Sequence, residues 1–302
     1  MARGARLRCG RAVRIRPELR MIDYHIHPDF SPDAVGSIRD FCARADELGL
    51  EEICFTTHFE PDPERDGYES VIVRGETRSV STDWAKHYLE DIALGQEQFP
   101  QLRVRIGVEL GYEMGVEGRI ADFLDRYRFD YVLGAVHCLE HVAISGSKEI
   151  ERMKALIAPK GPEYVAGRYF DYLQAAVGSR LFDCIAHLDI YRKYVLPLWA
   201  GTPAIAVFDR VVGERMGPAL EYMAENKVGI EVNTSALRRG EEEPYPGWGI
   251  IRLAKRAGVE PFTIGSDAHR PEDLGAGLED TAARLAELGI RPARFSARER
   301  IE

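Results

Sequence analysis

The stretch "DYHIHPDFSPDA", Asp23–Ala34, sets two of the chain's eight histidines on alternate positions of a short apolar run and follows them with Asp33. Successive strand side chains point to opposite faces, so His25 and His27 share a face and can reach one ion. "PFTIGSD", continued by "AH", repeats the device with Asp267 and His269. Between these two stretches, β-rich runs alternate with longer segments of helical period. The predicted strands are "MIDYHI", "EEICFTT", "VRIGVEL", "YVLGAVH", "FDCIAHL", "VGIEVNT" and "PFTIGSD". Predicted helices over 36–50, 82–99, 204–227 and 271–289 carry apolar residues at three- and four-residue spacing, with Gly near several ends. This alternation predicts one α/β domain with a parallel sheet or barrel, and the longer loops at 59–81, 139–160 and 191–203 would decorate its rim.

Almost every predicted strand ends in a group able to bind a metal: His25 and His27, then His58, Glu109, His137, His187, and finally Asp267 with His269. In parallel α/β barrels the strand C-termini converge on the active site. A lone histidine at a strand end is usually a structural hydrogen-bonder, so the weight rests on the coincidence of six strands out of seven. His87, inside a predicted helix, and His141, in a loop past His137, fall outside the pattern and read as structural. Imidazole mixed with carboxylate suits zinc, iron or manganese better than calcium. Seven or more candidates exceed what one tetrahedral ion needs, which implies two or three divalent ions. Glu109, from a central strand, is the best placed bridging carboxylate. Such ions activate water and clamp phosphoester oxygens, so phosphate-ester hydrolysis follows naturally.

Composition bounds the alternatives. The chain has 302 residues, 45% apolar and 29% charged, with no apolar run long enough to cross a bilayer. A net charge of −9 argues against a nucleic-acid partner. The five cysteines are widely spaced and include no Cys-x-x-Cys, so they read as reduced thiols in a cytoplasmic protein. Residues 1–20 hold seven Arg and one Glu, leaving −15 on residues 21–302; this segment reads as a basic extension, a disordered arm or a start-site artefact preceding the domain at 21–302.

In this order, "HIH", "TTHF", "GVELGY", "GAVH", "HLD" and "GSDAH" resemble the polymerase and histidinol phosphatase (PHP) superfamily. The resemblance implies a distorted (β/α)7 barrel with its metal site at the C-terminal ends of the strands. It implies a first ion on His25, His27, Glu109 and Asp267, and a second on Glu109, His137 and His187. A third would sit on Asp33, His58 and His269, although members of the superfamily often carry His where this chain has Asp33. Glu109, Asp267 and His269 are the implied catalytic residues. Two further stretches, "HLDIYRKY" and "EVNTSALRRGEEEPYPG", look like the stand-alone histidinol-phosphate phosphatases, which implies a small phosphorylated metabolite, L-histidinol phosphate, as substrate. Arg192 and Arg238 are the expected phosphate clamps, with Lys193 and Arg239 as alternatives, and Glu241 to Glu243 are expected to meet the cationic half of the substrate. "HCLEHVAISGS" departs from the family pattern beside the expected substrate position. The rivals are a PHP enzyme acting on another phosphoester or on nucleotide ends, and an amidohydrolase, which would usually supply a bridging Lys where this chain has Glu109.

Overall fold

Seven parallel strands lie side by side in chain order: β1 (Ile22–Ile26), β2 (Glu52–Phe55), β3 (Arg103–Gly111), β4 (Tyr131–Ala135), β5 (Cys184–Ile185), β6 (Gly229–Asn233) and β7 (Phe262–Gly265). A two-residue strand, His58–Phe59, continues beyond β2 and pairs with β3, setting His58 opposite Glu109. The computed structural model describes residues 21–65 and 69–301; the basic extension expected at 1–20 lies outside the described residues.

The sheet curls until β7 meets β1. The meeting is sparse: a single bridge pairs Ile26 with Ala268, and the amides of His27 and Asp267 donate to the carbonyls of Ala268 (2.9 Å) and His25 (2.8 Å). Asp23 supports this seam from within, its carboxylate accepting the amides of Ser266 at 2.8 Å and Gly275 at 3.2 Å. The result is the nearly closed (β/α)7 barrel that the alternation and the resemblance predict. Every residue of β1, β2, β4, β6 and β7 is buried, as expected of parallel strands covered on both faces.

Local signals set the helix boundaries. Ser37 and Asp40 form a reciprocal capping box ahead of Ile38–Leu48, and Gly49 ends that helix at φ +69°, a conformation cheap only for glycine. Its Ile38, Phe41, Cys42 and Ala45 are buried. The predicted helices at 82–99 and 204–227 appear as Trp84–Gln98 and Ala204–Asn226, while the last is confined to Leu278–Glu287. Among the described elements that the sequence reading did not name are the helices Glu117–Arg126, Pro162–Ser179 and Trp248–Ala257 and an antiparallel hairpin, Arg294–Ser296 with Glu299–Ile301, which lies across the barrel base. Its Phe295 packs on Tyr24 and Tyr131, and its amide donates to the Tyr24 hydroxyl at 2.9 Å.

The expected rim loops contain small hairpins, Val71–Val73 with Glu76–Arg78 and Cys138–Leu139 with Val142–Ala143, and the helix Ile150–Leu156. Arg65, almost fully buried, ties them over the mouth by donating to Glu69 (2.9 Å), the His141 carbonyl (3.0 Å) and Glu149 (2.6 Å).

Candidate metal centre

At the C-terminal end of the barrel Glu109 stands fully buried among imidazoles. Its Oε2 lies 2.8 Å from His58 Nδ1, 3.4 Å from His25 Nε2 and 3.6 Å from His27 Nε2; its Oε1 lies 3.0 Å from His187 Nε2 and 3.3 Å from His137 Nε2. Asp267 Oδ1 reaches His27 Nε2 and His269 Nδ1, each at 3.4 Å, and His25 Nε2 at 3.8 Å. Asp33, on the half-exposed outer side, faces His269 at 3.4 Å and His58 at 3.9 Å. All nine expected ligands therefore meet in one place. Three overlapping groups, His25/His27/Asp267, His58/Glu109/His137 and His27/His58/His269, each hold their donor atoms within 4.8 Å.

The backbone is bent to present them. Asp267 and His187 have φ of +54° and +28°, a region that costs non-glycine residues roughly 1–3 kcal/mol and is tolerated chiefly at functional sites. Gly265 provides the close approach: a Cβ there would fall 2.3 Å from His25 Cβ.

The donor set fits divalent cations. His25 Nε2, His27 Nε2, His58 Nδ1 and Glu109 Oε2 are buried and make no properly directed hydrogen bond to the described protein. Each such atom costs about 1–3 kcal/mol unless a partner is supplied, and four of them converge. The electrostatics agree. Burial alone would raise the Glu109 pKa, but His137, His25 and His58 outweigh it and hold the carboxyl well below its usual range. Burial opposes protonation of His58 as well, yet Glu109 pushes its pKa up to about 9. His27, buried and crowded by His58 and His269, is held well below the ordinary histidine value. Carboxylates that draw protons onto imidazoles in this way also draw metal cations, which displace those protons.

Sequence reasoning missed a second rank of residues. Glu231 Oε1 lies 2.5 Å from His25 Nδ1, Glu60 Oε1 lies 2.6 Å from His137 Nδ1, and Ser31 Oγ lies 3.4 Å from His27 Nδ1. Asn233 bonds both backbone and side chains. It accepts the Ser235 amide at 3.0 Å, and its amide group also donates to Glu231 and, at 3.3 Å, to Asp267. A glutamate alternating with apolar residues, as in "GIEVN", was the available signal for Glu231.

A cavity of about 290 Å³ opens above Glu109, lined by Asp33, His58, Glu60, Glu69, Glu149 and Lys193 among others. Of the four expected phosphate contacts only Lys193 faces it. Arg192 instead donates to Asp189 (2.9 Å), the Pro244 carbonyl (3.0 Å) and Glu241 (2.7 Å). Arg238 grips the carbonyls of Ser266 and Asp267, bracing the tip of β7, and Arg239 holds Glu241 and the Tyr245 hydroxyl. Glu241 is thereby engaged by arginines rather than turned to the cavity.

His87, as expected, sits apart on the helix Trp84–Gln98, 3.4 Å from Glu90. His141 pairs at 2.7 Å with Asp62, and its amide donates to Glu113 at 3.0 Å, a group away from the cavity lining. The hydrogen bond to Asp62 raises the His141 pKa above 6.5. Its contribution should be fully present below about pH 6.5 and fade as pH climbs through the raised value. Thermal unfolding of wild type and His141→Gln across pH 5–9 checks this: the gap between them is expected to shrink as pH rises, and a gap constant with pH would contradict it.

The PHP domain model matches residues 23–235. A protein named probable histidinol-phosphatase from Deinococcus radiodurans is 28% identical over 92% of this chain and 97% of its own. The histidinol-phosphatase of Lactococcus lactis subsp. lactis is 25% identical over 83% of this chain and 85% of its own. A crystal structure of histidinol phosphate phosphatase from Lactococcus lactis, complexed with zinc, L-histidinol and phosphate, superposes with a TM-score of 0.72 at 22% identity, covering 94% of this chain and 99% of that one. At that identity the superposition supports the fold.

Proposed function

The chain belongs to the PHP domain family, and on that premise we propose that it is a metal-dependent phosphomonoesterase hydrolysing L-histidinol phosphate to L-histidinol and phosphate. The observation that carries the reading is the meeting of nine donor residues around Glu109 and Asp267, seven of which line the cavity, with four buried donor atoms that have no hydrogen bond to the described protein. The relatives' names add the substrate.

His25, His27, Glu109 and Asp267 would hold a first ion, Glu109, His137 and His187 a second, and Asp33, His58 and His269 a third; zinc, manganese and iron all suit these donors. When bound, two or three such ions supply Lewis acidity toward the phosphate oxygens and the attacking water. The protein's own part is positional. Glu109, buried and held anionic, fixes the spacing of the two deeper ligand sets. Lys193, with no carboxylate partner among the described ion pairs, lines the cavity with its ammonium 5.1 Å from the Tyr194 ring centroid, and would take a phosphate oxygen. Glu60, Glu69 and Glu149 line the wall and, while holding His137 and Arg65, give it the acidic character that suits the substrate's ammonium and imidazole. Among the described residues no helix is long and apolar enough to cross a membrane, and Cys42, Cys54, Cys138 and Cys184 are unpaired and buried. We assign the protein to the cytoplasm and to histidine biosynthesis.

The test is a panel of histidinol phosphate, simple alkyl phosphates, a phosphodiester and a nucleotide on one metal-loaded preparation. Binding energy from the organic half orients the reacting phosphate, so kcat/KM for histidinol phosphate should exceed that for an alkyl phosphate by roughly a hundredfold or more. Comparable values, or a preference for the diester, would overturn the substrate and leave the metal reading standing. Lys193→Ala should lower kcat/KM about tenfold or more for every monoester alike, because it touches the part they share; one factor of ten is about 1.4 kcal/mol.

A further inference from the structure

We infer that Glu231 is a positioning residue shared by two neighbouring ion sites, resting on the metal reading above. One of its oxygens lies 2.5 Å from Nδ1 of His25; the other accepts the backbone amide of His187 at 3.0 Å. His25 belongs to the first proposed ligand set and His187 to the second. A single carboxylate, 1% exposed, therefore ties a ligand of each.

What it does differs at its two ends. At His25 the carboxylate fixes the proton on Nδ1, which leaves the Nε2 lone pair facing Glu109 and Asp267. A metal-ligating histidine usually depends on such an acceptor for its tautomer and ring orientation. His187 lacks that device: its Nδ1 is buried and has no hydrogen-bond partner in the described protein. Its ring is aimed by its backbone instead, which stands at φ +28° with its amide on Glu231. The fold makes room for the arrangement and braces it. A Cβ on Gly265 would come within 2.7 Å of Glu231 Oε1, and Asn233 Nδ2 donates to both Glu231 oxygens, at 3.3 and 3.2 Å. Glu60 provides the contrast. Among the described residues its hydrogen-bond partner is His137 Nδ1, at 2.6 Å, so it serves one site.

The experiment titrates zinc into the full-length protein against a chromophoric chelator, resolving the affinity of each bound ion. Glu231→Ala is expected to weaken two ions, each by about 10- to 100-fold, whereas Glu60→Ala weakens one by a similar factor. Glu231→Gln, the same shape with a neutral acceptor, keeps the fold and should lose less than Glu231→Ala; it decides the question if the alanine variant does not fold. Imidazole nitrogen NMR of the zinc-loaded protein supplies the second readout: the Nδ1 proton of His25 is expected in wild type and displaced or exchange-broadened in both Glu231 variants. Wild-type zinc affinity in folded Glu231 variants, or weakening confined to one ion, overturns the inference while the wild-type titration still reports zinc. A wild type that takes up no zinc would sink the metal reading itself.

Discussion

Glu109→Gln should reduce kcat/KM on histidinol phosphate by at least the roughly 10²- to 10³-fold that loss of one oxyanion-stabilising donor costs other enzymes. The substitution preserves shape and removes charge at a carboxylate that lies within 3.6 Å of five imidazoles. Without that charge the second ligand set, Glu109 with His137 and His187, keeps no anionic member. Asp33→Asn is the comparator. Asp33 is half exposed, stands 3.4 Å from its nearest histidine and serves only the outer set, so its loss should cost about tenfold. Steady-state kinetics on both variants decides the matter; equal and mild effects would contradict a bridging Glu109.

Metal removal is the second large effect. Dialysis against a strong chelator should take turnover to background, and readdition of zinc, manganese or iron should restore it, because the proposed ions supply the Lewis acidity toward the phosphate and the attacking water. Elemental analysis of active protein should give two to three ions per chain. One ion or none in fully active protein would remove the multinuclear arrangement. The melting temperature should fall on chelation as well, since a ligand bound only by the folded state at a hundred times its Kd contributes about 2.7 kcal/mol.

The seven strands were legible because fully buried parallel strands leave continuous apolar runs, and the proposed ligands because most of them close such a run. The outward-facing Asp33 came into the set by motif order, and the structure brings it to His269 and His58. The residues that aim the ligands were illegible for a different reason. Glu231 is 206 positions from His25, and Glu60 is 77 from His137, so no local pattern pairs them. The basic cluster after β5 and β6 was visible as charge, but charge does not reveal its partner. Arg192 is taken up by Asp189 and Glu241, and only Lys193, one residue on, turns to the cavity. The hairpin across the base escaped notice because two three-residue strands carry too little periodicity to register.

The seam between β7 and β1 has a consequence for how the barrel is held shut. Its backbone contacts are the bonds His27 to Ala268 and Asp267 to His25 and the bridge of Ile26 with Ala268, braced by Asp23, and His25, His27 and Asp267 are also members of the first proposed ligand set. Binding of the first proposed ion would therefore reinforce closure of the barrel, the cation bracing a seam that the backbone joins at few points. Metal supply would set the fraction of molecules whose ring is shut, and in a cell short of the metal the first amides to open to solvent exchange would be those of His27 and Asp267.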